Sequence, residues 1–278
     1  MNGAGNDFLI INNIKEKIPE DKVAAIAKTL CERHLSIGAD GLMLVTGPTE
    51  EFAGRADFRM VFYNSDGSLG EMCGNGARCI SRYGYETGLS GCCQKIETTA
   101  GLVTGKRITE REYRVRLNDP SVIELEEKVA AEGKTYSMSY IELGYPGVPH
   151  GVCEMKNIKD IPDEELIRLG RSLRYNKAFK KGANINFYEI LENDHIYLKT
   201  YERGVEGLTY ACGTGACSTV LALTLKGLLS GKNVSVDVKG GTLYIEIERE
   251  ETTIKSIFLA GPTNIVAKGV VTDEDLLL

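Results

Sequence analysis

The sequence predicts an α+β fold built from two similar domains. Three observations carry this expectation. The chain has 278 residues, too many for one core of ordinary size and suited to two domains of roughly 100–200 residues each. Short strand-like apolar runs outnumber helical stretches and alternate with them along the whole chain. Two stretches, YNSDGSLGEMCGNGARC (63–79) and YERGVEGLTYACGTGAC (201–217), repeat one plan: a strand end, a polar turn, and a Cys-Gly sequence opening a helix. Cys73 and Cys212 stand 139 residues apart, half of the chain. Two related halves that face each other would bring both thiols to one cleft.

Taken in order, FLIIN (8–12) reads as a strand. Residues 20–33 read as a helix, because Val23, Ile26, Ala27 and Leu30 recur at i, i+3, i+4 and i+7. GLMLVT (41–46) is an apolar strand. DFRMVFYN (57–64) alternates, which puts Phe58, Met60 and Phe62 on one face. NSDGS is a turn, a helix starts near Asn75 and stops around 84–88, and two or three strands follow, REYRVRL (111–117) among them. The second half starts near Asp119-Pro120, with strands at roughly 138–143 and 150–155. A helix over 162–175 has Pro162 early and Leu166, Leu169 and Leu173 on one face. NINFYEIL and HIYLKTY flank a turn, a helix runs from about 214 to 229, and VSVDV and TLYIEIE form a second hairpin around KGG. The expected domains are 1–118 and 119–264.

Composition narrows the function. Charged residues make up 26% and the formal net charge is −6, which argues against nucleic-acid and anionic-membrane surfaces. No apolar run approaches a membrane span, and MNGAGNDFLIINN has no basic region leading into an apolar stretch. Eight cysteines without a C-x-x-C spacing, in a chain this long, suggest reduced thiols and a cytoplasmic setting. Cys31, Cys92, Cys93 and Cys153 read as inert core residues. Cys79 and Cys217 are expected to face the core from the motif helices.

Cys73 and Cys212 call for a different reading. The first N–H groups of a helix have no intrahelical partner and carry the positive end of its dipole. Small residues there let an anion approach the backbone, so a carboxylate could rest on Gly74-Asn75 and Gly213-Thr214. Helix N-termini also lower a thiol pKa from about 8.5 into the range of about 3.5–7.5. Two thiols on opposite faces of one carbon could then invert it: one, as thiolate, removes the α-proton, and the other delivers a proton to the far side. Helix N-termini aimed at the α-carboxylate would stabilise the developing charge. No phosphate loop suggests pyridoxal phosphate, and no cofactor or metal is expected. A rival of another class, a thiol redox or metal protein, lacks the C-x-x-C and C-x-x-H spacings it would need.

GAGNDF (3–8), ERHLSIGADG (32–41), YNSDGSLGEMCGNGARC (63–79), PGVPH (146–150), GANINF (182–187), YERG (201–204) and ACGTGAC (211–217) follow one another along the chain. In these motifs and their order the chain resembles the diaminopimelate epimerases, a pyridoxal-phosphate-independent racemase family, over nearly its whole length. The resemblance implies two pseudo-symmetric domains, each a strand-rich layer wrapped around a central helix, with the active site in the interdomain cleft. It also implies that a last strand, about 265–278, returns to the first domain. Cys73 and Cys212 take the place of the acid/base thiols, with Gly74, Asn75, Gly213 and Thr214 on the reacting carboxylate. His150 and Glu202 would flank the thiols, and Glu202 could also satisfy an ammonium. Asn6, Asn64, Asn184 and Arg203 would read the distal end of the substrate, where a guanidinium and amides suit a second carboxylate. The activity implied is conversion of LL- to meso-diaminopimelate in lysine and peptidoglycan precursor synthesis; the alternative is a racemase of the same fold for another amino acid, of histidine or proline type. The partner expected is a small-molecule amino acid, with a homodimer left open.

Three departures from the family pattern stand out. The chain opens at MNGAGNDF, where most members have several more residues forming the first strand, so either the start lies further upstream or that strand is shorter. Val148 stands where many members have an asparagine. VEGLTY, before Ala211-Cys212, lacks the usual Glu-Thr pair and implies a differently shaped loop.

Overall fold

The computed structural model describes residues 1–70, 73–272, 274 and 276. It divides into two compact units, 1–115 with 261–278, and 116–260. In the first unit the chain runs through β1 (Asn2–Gly3), β2 (Asn6–Asn12), α1 (Asn13–Glu16), α2 (Glu20–Cys31), β3 (Gly41–Thr46), β4 (Phe58–Asn64), α3 (Gly74–Glu86), β5 (Cys93–Thr98), β6 (Gly101–Arg107) and β7 (Glu112–Leu117). β2 and β3 are parallel, β3 and β4 antiparallel, β4 and β5 parallel, and β5, β6 and β7 antiparallel in turn.

β3 shows why a run without alternation becomes a strand. Successive side chains of a strand point to opposite faces, and here both faces are covered. Leu42 and Leu44 meet Val23, Ile26 and Leu30 of α2, while Met43 and Val45 meet Phe8, Cys79 and Ile80. Full burial of each such aliphatic side chain contributes about 1.5–3 kcal/mol. β4 departs from the one-sided expectation. Phe58, Met60 and Phe62 do share the face toward α3, but Val61 and Tyr63 are buried against α2 as well.

The second unit contains β8 (Pro120–Ala131), β9 (Lys134–Leu143), β10 (Val148–Glu154), α4 (Asp163–Arg174), β11 (Asn184–Glu192), β12 (His195–Glu202), β13 (Gly207–Leu208), α5 (Gly213–Leu225), β14 (Val234–Val238), β15 (Gly241–Glu250) and β16 (Thr253–Pro262). From β10 the plan of the first unit returns. β10 and β11 are parallel, β11 and β12 antiparallel, β12 and β14 parallel, and β14, β15 and β16 antiparallel in turn. α4 corresponds to α2 and α5 to α3. α4 has acidic Asp163, Glu164 and Glu165 in its first turn and Arg171 and Arg174 in its last, as the helix dipole favours. α5 is apolar nearly all round and buried from Gly213 to Thr224 except Thr214, as a central helix must be. It packs on β9, β10, β11 and β15.

Three local expectations need correction. β8 is a strand of twelve residues where none was expected: its sequence, PSVIELEEKVAA, carries four charges, and pairing with β9 rather than apolar periodicity organises it. Cys92 and Cys93 are exposed, not core residues, because β5 starts there at a surface turn. Of the strand expected over 265–278, residues 273, 275, 277 and 278 lie outside the described set. The described remainder forms no strand; β16 ends at Pro262, and Asn264 bridges Asn2. Among the described residues no helix is long and apolar enough to cross a membrane.

Candidate active site

Each Cys-Gly sequence places its cysteine at the N-cap of a buried helix. Cys73 caps α3 with extended backbone (φ −111°, ψ 116°), and its sulfur accepts the Gly76 N–H at 3.5 Å. Cys212 stands at the N-cap position of α5 with nearly the same backbone (φ −115°, ψ 106°). Its sulfur lies 3.5 Å from Thr214 Oγ1. Cys73 is half-buried and Cys212 buried. Close approach explains the glycines that follow. A Cβ on Gly76 would strike Met43 Cε, and one on Gly215 would strike Asn186 Oδ1 and press on Cys212 Sγ. Gly74, Asn75 and Gly213 are buried in the first turns, and Thr214 is half-buried.

In the first unit, Asn6 joins the thiol. Cys73 Sγ donates to Asn6 Oδ1 at 3.5 Å, and Asn75 Nδ2 donates to the same oxygen at 3.4 Å. Asn6 is itself held: its Nδ2 donates to Asp40 Oδ2 at 2.6 Å. Arg33 then clamps Asp40 and Asp7, at 3.1 and 2.7 Å. Those two carboxylates raise the Arg33 pKa. Arg33 and Asp40 lie inside ERHLSIGADG but received no role from the sequence; the signal was there as a charged pair flanking a glycine turn. Asn64 ends β4 and is tied to Ser68 by Nδ2 to Oγ at 2.9 Å, a turn contact rather than one with the Asn6–Cys73 group. Residues 71 and 72, next to Cys73, lie outside the described set.

In the second unit, Asn184 links two expected site segments. Its Nδ2 donates to Pro149 O at 3.1 Å and its Oδ1 accepts the Arg203 N–H at 2.8 Å. The Arg203 side chain is exposed, with one guanidinium N–H on Lys181 O at 3.4 Å. Glu202 ends β12, half-buried, and pairs with Gly207. The loop VEGLTY is fixed by Glu206, which takes the Gly204 N–H, Arg174 Nε and Tyr201 O–H at 3.0, 2.7 and 3.0 Å. Burial pushes the Glu206 carboxyl up, but these three donors outweigh it and hold its pKa at about 2.

His150 is fully buried beside Asn184 in the β10–β11 ladder. Burial, with Arg203 adding positive charge nearby, pushes its pKa down to about 3. It is therefore neutral at physiological pH. Asn186, two residues past Asn184, was not singled out from the sequence; its Nδ2 lies 3.2 Å from His150 Nδ1. Val148 is the half-buried first residue of β10. Among the described residues, no three His, Cys, Asp or Glu side chains gather as a metal site would need.

The family model for diaminopimelate epimerase matches residues 1–122 and 144–266. The chain belongs to the diaminopimelate epimerase family. It is 36% identical over 285 residues to the diaminopimelate epimerase of Aquifex aeolicus, covering 99% of this chain and 98% of that one. It is 35% identical to the enzyme of that name from Methanothrix thermoacetophila, covering 99% and 96%. For the one from Bacillus cytotoxicus the figures are 33%, 97% and 95%. As a member of the epimerase family the protein is an isomerase. Solved structures share the α+β fold at low identity. A PhzF-family phenazine biosynthesis protein of Enterococcus faecalis superposes with a TM-score of 0.64 at 14% identity, covering 94% of this chain and 90% of that one. A methylitaconate-delta-isomerase gives 0.61 at 11%, covering 95% and 92%.

Proposed function

We propose that this epimerase converts LL- to meso-diaminopimelate by two-base proton transfer, with Cys73 and Cys212 as the two bases. The observation that carries the reading is the repeated placement of a cysteine at the N-cap of a buried, glycine-opened helix, once in each unit. One thiolate takes the α-proton while the other thiol gives a proton to the opposite face, so the two exchange protonation states in each turnover. The N–H groups of Gly74-Asn75 and Gly213-Thr214 hold the α-carboxylate and offset the charge that builds on it. His150 and Glu202 assist beside the thiols. Asn6, Asn64, Asn184 and Arg203 read the distal amino-acid end, and the exposed guanidinium of Arg203 suits its carboxylate. The substrate is a free amino acid, no cofactor takes part, and the product feeds lysine and peptidoglycan precursor synthesis. No observation favours the histidine- or proline-type alternative.

The test is turnover of the reduced protein in deuterated water against diaminopimelate isomers and common amino acids. The proposal expects deuterium at the inverted α-carbon of diaminopimelate, because the incoming proton comes from a solvent-exchanged thiol. Inverted product without label would refute the two-base route. Turnover of a different amino acid in preference would refute the substrate.

A further inference from the structure

Asn186 occupies a position that dictates the chemistry of His150. It is fully buried in β11 and makes three polar contacts. Its Nδ2 lies 3.2 Å from the carbonyl oxygen of Gly151 and 3.2 Å from His150 Nδ1. Its Oδ1 accepts the Thr200 hydroxyl at 2.9 Å. A carbonyl oxygen can only accept, so the Gly151 contact orients the amide: its nitrogen, not its oxygen, faces the imidazole. One N–H serves Gly151 and the other points at His150 Nδ1. A proton on Nδ1 would oppose that N–H, so the neutral ring carries its proton on Nε2. The Nε2 atom is buried and has no hydrogen-bond partner among the described residues. A buried donor left in that condition keeps its full desolvation penalty, so it calls for an acceptor. The same amide also abuts the first turn of α5, where Gly215 leaves room for its Oδ1 next to Cys212 Sγ.

We infer that Asn186 is a positioning residue: it locks His150 as the Nε2–H tautomer and so presents a buried hydrogen-bond donor to a carboxylate oxygen of the amino-acid substrate. Thr200 fixes the amide from behind. In this arrangement His150 works as a neutral donor that binds and orients rather than as a group that ionises, in keeping with a pKa pushed down to about 3. The substrate part of the inference rests on the epimerase reading; the tautomer part does not.

Two measurements test it. Nitrogen-15 spectra of histidine-labelled protein, assigned with His150→Gln, are expected to show a protonated Nε2 and an unprotonated Nδ1 for His150, and Asn186→Ala should lose that single-tautomer signature. A wild-type His150 protonated at Nδ1 overturns the inference, and this result needs no variant to fold. The second measurement is a double-mutant cycle on kcat/KM. Asn186→Ala should lower it by about 10- to 150-fold, the range for a hydrogen bond to a charged group. In a His150→Gln background, whose amide donor no tautomer governs, the same change should cost less than about twofold. Equal losses in both backgrounds would mean that Asn186 merely packs, and would overturn the inference. If the protein turns over no amino acid, the epimerase reading falls, and the wild-type spectrum alone then decides the tautomer.

Discussion

Replacing Cys73 separates what its sulfur does for the fold from what it does for the reaction. The sulfur caps α3 by accepting the Gly76 N–H at 3.5 Å. An N-cap side chain replaced by alanine costs about 0.5–2 kcal/mol, and a long contact to sulfur belongs at the low end, about 0.5–1 kcal/mol. In a chain of this size that lowers Tm by about 1–4 °C. Serine reverses the sign, because its hydroxyl is a preferred N-cap acceptor and is smaller than the thiol. Cys73→Ser should therefore melt at or slightly above the wild-type temperature. Its activity should move the other way. A serine hydroxyl holds its proton far more tightly than a thiol, so one base of the pair is lost, and turnover should fall by about 10²–10⁴-fold or more. Thermal melts by circular dichroism and deuterium incorporation at the α-carbon read the two quantities on one preparation. A serine variant with near-wild-type turnover would refute the acid/base assignment. A serine variant that melts well below the alanine variant would refute the capping argument.

The other predictions concern single contacts. Arg203→Ala should raise KM for diaminopimelate far more than for an amino acid without a distal carboxylate; equal losses would show that Arg203 does not read that end. Gly215→Ala forces a Cβ into Asn186 Oδ1, so overpacking should cost about 1–3 kcal/mol of stability, measured by denaturant unfolding. Asp237 accepts from His195 Nε2 at 2.8 Å and, more than any other group, raises its pKa. This pairing stabilises the fold fully below the free imidazole value of about 6.5 and fades as pH rises through the higher folded value. His195→Gln should therefore lower Tm more at pH 5.5 than at pH 9, and a gap that widens with pH would contradict the pairing.

The parts of the molecule legible in sequence are those set by neighbours along the chain. The stripe of Val23, Ile26, Ala27 and Leu30 marks α2, the apolar run GLMLVT marks β3, and the Cys-Gly starts mark α3 and α5. In these cases periodicity or capping chemistry acts within one or two turns, so the residues themselves specify the element. β8 escaped because its charged sequence becomes a strand only through pairing with β9. The contact of Asn64 with Ser68, four residues on, depends on how the turn between them closes.

The sequence by itself determined the α+β class, the duplicated order of elements and the two cysteines at helix N-cap positions, because local pattern suffices for each. Tertiary structure decided which polar groups meet. Asn6 reaches Cys73 across 67 residues of chain, and Asn186 reaches His150 across 36. Both meetings follow from strand register and helix packing, which bring remote positions within hydrogen-bond range and have no signature in the order of the residues between them.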